Sequence, residues 1–298
     1  MNKLCSCIVP CFNEEKVIPI YYDEMQKVMK QEENIEFEII FVDDGSKDGT
    51  LEIMRKLSEQ DPKIHYISFS RNFGKEAALY AGLERAKGDY VITMDVDLQD
   101  PPYLIPKMIR CIEEENYDSV ATRRVTREGE PVIRSFFARQ FYKLINKISD
   151  SNIVDGARDF RMMKRKMVDA ILTMPEYNRF TKGIFGWVGF ETKWLEYKNV
   201  ERVAGETKWS FWKLFRYACE GIMAFSTAPL MAVSLMGVFV CIIAFLFLVF
   251  VIVRAAVFGD PVAGWPSLVL MTFLFNINRS MFCFQICLRQ IHTNNSHS

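Results

Sequence analysis

A chain of 298 residues, half of them apolar, has material for one substantial domain and something smaller beside it. Its 37 basic residues balance 37 acidic ones, so no global field attracts nucleic acid, and any polyanion must be met by a local basic cluster. Eight cysteines without a Cys-x-x-Cys pair, and only three histidines, argue against a disulfide framework or a zinc site and suit a reducing compartment. At the N-terminus a short apolar run after Lys3 ends at Pro10, and Asn13, Glu14 and Glu15 follow where a cleavage site would fall, which does not read as a signal peptide.

From residue 3 to about 119, apolar β-rich runs alternate with amphipathic stretches. The spacing predicts strands at 4–9, 37–42, 64–69 and 90–94, with Ile18, Tyr21, Tyr22, Met25, Val28 and Met29 marking one face of an intervening helix. Such alternation reads as βαβ units: an α/β domain with a mainly parallel sheet covered on both faces. Ligands of these sheets bind at the carboxyl ends of strands. Three polar clusters sit there: Pro10-Cys11-Phe12-Asn13-Glu14-Glu15, Asp43-Asp44-Gly45-Ser46, and Asp95-Val96-Asp97-Leu98-Gln99-Asp100. The sequence therefore brings three clusters to one edge.

Residues 122–203 read as an acceptor-side extension of this domain, with a helix over 133–149, less regular structure after it, and Arg123, Arg124, Arg127, Arg134 and Arg139 near its start. Guanidinium groups suit a diphosphate or lipid phosphate because they bind its oxygens bidentately, although any one of them could be an ordinary surface residue. The first domain is placed at 1–205. Over 206–228, Trp209, Trp212, Phe215, Cys219 and Ile222 fall at helical spacing with Lys208, Lys213 and Arg216 elsewhere around the turn, the pattern of an interfacial amphipathic helix or of a core helix.

Residues 230–253 carry no charge, and 24 residues span about 36 Å as a helix, enough to cross a bilayer. Lys193, Lys198, Arg202, Lys208, Lys213 and Arg216 precede this span, whereas Arg254 is balanced by Asp260 beyond it, so the large domain is expected on the cytoplasmic side. The remaining membrane region, within 229–298, leaves a second span near 265–288 open. Asn276, Asn278 and Arg279 interrupt it, and a charge at the bilayer centre costs about 3 kcal/mol on insertion scales.

Asp95 and Asp97 stand two apart just past a strand, and the turn residues Leu98-Gln99-Asp100-Pro101-Pro102 allow both carboxylates to approach one hard divalent cation. A solvated acidic turn is the plain alternative. Asp43 or Asp44 can accept hydrogen bonds from the base or ribose of a nucleotide, with Glu14 across the neighbouring strand, or can simply cap a turn. No Gly-x-Gly-x-x-Gly follows a strand and no Gly-x-x-x-x-Gly-Lys-Ser/Thr occurs, which disfavours a dehydrogenase or a P-loop enzyme.

Taken together, the three clusters with Ser70-Arg71-Asn72-Phe73-Gly74-Lys75 resemble glycosyltransferase family 2. Arg179-Phe180-Thr181-Lys182-Gly183, Trp187-Val188-Gly189-Phe190 and Gly205-Glu206-Thr207-Lys208-Trp209-Ser210 narrow the resemblance to bacterial polyprenyl-phosphate (bactoprenol) glucosyltransferases related to dolichyl-phosphate mannose synthase. The resemblance implies a GT-A fold and an inverting transfer from a UDP-sugar, glucose in the first instance, to undecaprenyl phosphate at the cytosolic face of a bacterial inner membrane. It implies that Pro10, Phe12, Asn13, Glu14, Asp43, Asp44, Asp95 and Arg134 meet the nucleotide-sugar, that Asp95, Asp97 and Gln99 hold Mg2+ or Mn2+, and that Asp97, Arg123, Arg202 and Lys208 serve catalysis. Membrane lipid and a second copy of the chain are the other partners it implies. The end of the chain departs from the family, whose members carry two membrane helices and a basic tail. A non-catalytic nucleotide-sugar-binding membrane protein and a processive polysaccharide synthase are the competing readings; the second lacks the several spans and the Gln-x-x-Arg-Trp motif it needs.

Overall fold

The computed structural model describes residues 3–124, 156–174, 179, 181–197, 228–259, 264, 268 and 271–272. The helix expected at 133–149, nearly all of the interfacial helix at 206–228 and most of the second span at 265–288 lie outside the described residues. The chain divides into two compact units, Met1–Phe225 and Ser226–Ser298.

The first unit is built on seven strands: β1 (Lys3–Cys11), β2 (Ile35–Asp43), β3 (Ile64–Ser68), β4 (Tyr90–Thr93), β5 (Ser119–Arg124), β6 (Ala157–Lys164) and β7 (Thr192–Tyr197), in the spatial order β3-β2-β1-β4-β6-β5-β7. The four strands read from sequence form the parallel half, with β1 at its centre between β2 and β4. Beyond β4 the sheet is mixed: β6 runs antiparallel to both β4 and β5, and β5 pairs in parallel with β7. The less regular structure expected after 149 is corrected here, because 157–197 holds two strands and two helices.

Burial on both faces explains the near-continuous apolar runs of the central strands. Cys5, Cys7, Val9 and Cys11 of β1 face one core with Phe37, Ile39 and Phe41 of β2, and Ile8, Ile40 and Val42 face the other. Helices α1 (Ile18–Gln31), α2 (Thr50–Gln60) and α4 (Ile105–Glu113) contribute to the first core. Ile18, Tyr21, Met25 and Val28 are the buried stripe of α1, at the three- and four-residue steps the sequence shows. Helices α3 (Lys75–Arg85), α5 (Arg165–Leu172) and α6 (Thr181–Trp187) supply the second core. α3 lies so close to β1 that a Cβ on Gly82 would come within 2.2 Å of Ile8 Cγ2. Five described cysteines, Cys5, Cys7, Cys11, Cys111 and Cys241, are free thiols.

In the second unit, α7 (Ala228–Phe258) runs 31 residues, about 46 Å. Its 231–258 portion is long and apolar enough to cross a membrane. The helix continues through Arg254, past the expected end at 253. Most of its large side chains are exposed, but Ser234, Gly237, Cys241, Ala244, Leu248 and Val251 are shielded. These follow a repeating three-four step along one face of the helix.

Candidate active site

Register places the three clusters side by side. Cys11 pairs with Asp43, Ile8 pairs with Thr93, and the Met94 amide donates to the Ile8 carbonyl at 3.2 Å. The loops leaving β1, β2 and β4 therefore emerge from neighbouring strands at one edge, as the sequence implied.

The first two loops are stitched by backbone amides on side-chain acceptors. The Asn13 amide donates to Ser46 Oγ (2.9 Å), the Lys47 amide to Asn13 Oδ1 (2.8 Å), the Glu14 amide to Thr50 Oγ1 (2.8 Å) and the Gly49 amide to Glu15 Oε2 (2.8 Å). Asn13 reaches this arrangement at φ +55°, a left-handed conformation that asparagine tolerates better than most residues. Asp43 accepts from the Ser46 amide (3.0 Å) and the Ser68 hydroxyl (3.2 Å). Asp44 accepts from the amides of Phe73 (2.6 Å) and Gly74 (2.9 Å). Burial raises the Asp44 pKa, and those two amides oppose the rise. Both aspartates thus brace loops, and a nucleotide would share carboxylate oxygens already used by the backbone. Gly45, at φ +69°, lies under the loop after β3, where an added Cβ would stand 2.4 Å from the Arg71 carbonyl carbon. Pro10 opens the first cluster near the carboxyl end of β1, beside Val42, and Phe12 is half-buried.

The acidic turn after β4 bends at Leu98, φ +58°. Asp97 is 7 % exposed and accepts from the Gln99 amide at 3.1 Å, while Asp95 and Gln99 are partly exposed. Among the described residues no three His, Cys, Asp or Glu side chains are grouped to hold a metal alone. Two carboxylates and one amide oxygen on a tight turn nevertheless form the hard donor set that fits Mg2+ or Mn2+ completed by substrate phosphate.

Behind this turn lies an ion chain that the sequence reading did not assign. Lys75 Nζ stands 2.5 Å from both Asp95 Oδ1 and Asp159 Oδ2, and Lys182 reaches Asp159 at 3.8 Å. On the other side, Arg158 Nη2 lies 3.7 Å from Asp95 Oδ2 while its Nε donates to Asp100 at 2.9 Å. Asp100 also accepts from the Tyr197 hydroxyl (3.1 Å) and from the Asp95 amide (3.3 Å). Burial opposes the Asp159 charge, but Lys75 and Lys182 outweigh it and hold the carboxyl well below the usual range. Burial likewise opposes the Lys75 charge, and Asp159 and Asp95 outweigh it and raise the ammonium pKa. At Asp100 burial wins over Arg158, and the pKa is raised. Next along β6, Arg161 lies over the rings of Phe185 (4.5 Å) and Trp194 (5.4 Å), and burial pushes its pKa down to about 9. Glu76, in the first turn of α3, accepts from the Thr181 amide at 3.0 Å and from its hydroxyl, capping α6.

Of the arginines, Arg123 lies one residue before the end of β5 with its guanidinium on Glu196 of β7, in an exposed pair. Arg134, Arg202 and Lys208 lie outside the described residues. The missed residues did leave a signal: Arg158, Asp159 and Arg161 sit in a strand with the apolar Ala157, Phe160, Met162 and Met163, and charged residues are buried only when partnered.

Against known proteins, the profile described as Glycosyl transferase family 2 matches residues 6–172. A bactoprenol glucosyl transferase of Shigella phage SfV is 46% identical over 270 residues, covering 91% of this chain and 87% of that one. A prophage bactoprenol glucosyl transferase homolog of Escherichia coli K12 is 44% identical over 270 residues, covering the same shares. Among solved structures, a mannosyltransferase from Pyrobaculum calidifontis in complex with GDP-Man and Mn2+ superposes with TM-score 0.53 at 17% identity, over 74% of this chain and 63% of that one. A mannosyl-3-phosphoglycerate synthase from Rubrobacter xylanophilus gives TM-score 0.50 at 18% identity, over 74% and 72%. At such identities the superpositions establish the architecture alone, which is the GT-A fold.

Proposed function

Since the chain belongs to glycosyltransferase family 2 and is a glycosyltransferase, we propose that it transfers glucose from UDP-glucose to a polyprenyl phosphate, with inversion and with the help of a divalent metal. The observation that carries this reading is the acidic turn of Asp95, Asp97 and Gln99 at the carboxyl end of β4, beside the loops after β1 and β2. The names of the bactoprenol glucosyl transferases support the sugar and the lipid carrier.

The chemistry asks little of a general base. A monoalkyl phosphate has its second pKa near ~6, so the acceptor oxygen is already anionic at neutral pH. The chain's task is placement and charge control. Pro10, Phe12, Asn13, Glu14, Asp43 and Asp44 shape the nucleotide side, where braced loops keep the pocket from reorganising when the donor enters. Asp95, Asp97 and Gln99 would hold Mg2+ or Mn2+, which when bound supplies Lewis-acid neutralisation at the departing diphosphate. Arg134, Arg202 and Lys208 are assigned to phosphate, and Arg123 joins them only by leaving Glu196. α7 anchors the enzyme in the cytoplasmic membrane, with the catalytic unit on the cytosolic side, where both nucleotide-sugar and phosphate headgroup are available.

Incubating the membrane-bound protein with undecaprenyl phosphate and a panel of labelled UDP-sugars tests this reading. Label from UDP-glucose should enter the organic phase as a lipid-linked monosaccharide. Preferential transfer of another sugar would overturn the donor, and a water-soluble polymer would overturn the carrier.

A further inference from the structure

Asp95 sits in the middle of a chain of alternating charges: Asp100, Arg158, Asp95, Lys75, Asp159, Lys182. Two cations therefore already face the carboxylate that a metal must use. Lys75 is shared evenly, 2.5 Å from Asp95 and 2.5 Å from Asp159. Arg158 is shared unevenly: its Nε donates to Asp100 at 2.9 Å, whereas its buried Nη2 makes no hydrogen bond and stops 3.7 Å from Asp95. Asp100 is 0 % exposed and is further fixed by the Tyr197 hydroxyl.

The geometry points to Asp100 as a positioning residue for metal binding: it draws Arg158 away from Asp95 and so leaves Asp95 Oδ2, the oxygen that Lys75 does not hold, available to a divalent cation. This rests on the metal reading above and adds to it a residue that does not itself touch the metal. Arg158 is partly buried, with Nη2 shut off from solvent, so its charge is met chiefly by one carboxylate or the other. With Asp100 as the nearer partner, Arg158 contributes field without occupying the Asp95 oxygens. Without the Asp100 charge, the same guanidinium moves onto Asp95 and competes with the metal.

The test is Mn2+ titration of the full chain in detergent, followed by the loss of the free-ion electron paramagnetic resonance signal, with and without UDP. Asp100→Asn should weaken Mn2+ about tenfold, the scale seen when groups behind metal ligands are altered. The double variant Asp100→Asn/Arg158→Gln, which removes the competing cation along with its partner, should recover most of that loss. Tyr197→Phe, which loosens the same corner but leaves both charges, should bind Mn2+ within about twofold of wild type. General loosening of the turn would instead weaken all three variants, and that result overturns the inference. So does an Asp100→Asn protein that binds like wild type. If Asp100→Asn does not fold, the double variant decides: binding much weaker than wild type contradicts the proposal. Wild-type protein that takes up no Mn2+ under either condition overturns the metal reading and this inference together, whereas wild-type binding with indifferent variants overturns the inference alone.

Discussion

The two halves of the sheet are held by different forces. Around β1, β2 and β3, the loops at the candidate site are fixed by backbone amides donating to Asp43, Asp44, Asn13, Glu15, Ser46 and Thr50. Around β4, β6 and β7, the site is fixed by ion pairs among Asp95, Asp100, Asp159, Lys75, Arg158 and Lys182. Amide-to-carboxylate bonds set backbone shape and suit a pocket for a rigid ligand. Ion pairs can exchange partners, which suits the part of the site where the proposed reaction would bring and remove phosphate and metal charge.

Breaking each half should show the difference. The largest effect is expected for Asp159→Ala, which leaves Lys75 with Asp95 alone and takes from Lys182 its carboxylate: about 3 kcal/mol of stability, read from urea unfolding in detergent. The loss should depend on pH. The Asp159 pKa is lowered by folding, so its contribution is complete above the unfolded carboxyl value of about 4 and fades as the pH falls toward the folded value. Wild type and variant should therefore converge in acid. In the other half, Gly45→Ala meets the Arg71 backbone at a left-handed φ, and should cost about 3 kcal/mol with no convergence in acid. Asp44→Ala orphans the Phe73 and Gly74 amides, for about 1 to 3 kcal/mol, and should weaken nucleotide binding more than it weakens folding. At the small end, Arg123→Ala breaks only an exposed pair with Glu196 and should shift stability by less than about 1 kcal/mol.

The same division explains what could be read from the chain. The parallel half was legible because its strands are near-continuous apolar runs ended by polar turns, as in 37–42 before Asp43-Asp44-Gly45-Ser46. β6 was not, because Arg158, Asp159 and Arg161 interrupt it, and their partners Asp100, Lys75, Lys182, Phe185 and Trp194 are distant in sequence. Local periodicity carries no record of pairings made across the sheet. The site was legible where one loop holds its own chemistry, as in Asp95-Val96-Asp97, and silent where the chemistry is a charge shared between elements. Asp43 and Asp44 fall between these cases: their position was clear, but their engagement with the Ser46, Phe73 and Gly74 amides depends on how the loops meet.

The acidic turn after β4 is the centre of the account, and the rate of lipid-linked glucose formation from UDP-glucose against Mn2+ concentration, in wild type and Asp97→Asn, tests it most directly. A rate that rises with Mn2+, vanishes on chelation and falls at least about a hundredfold in a folded Asp97→Asn protein is the predicted result. Equal rates in chelator, or an Asp97→Asn enzyme as fast as wild type, would contradict it.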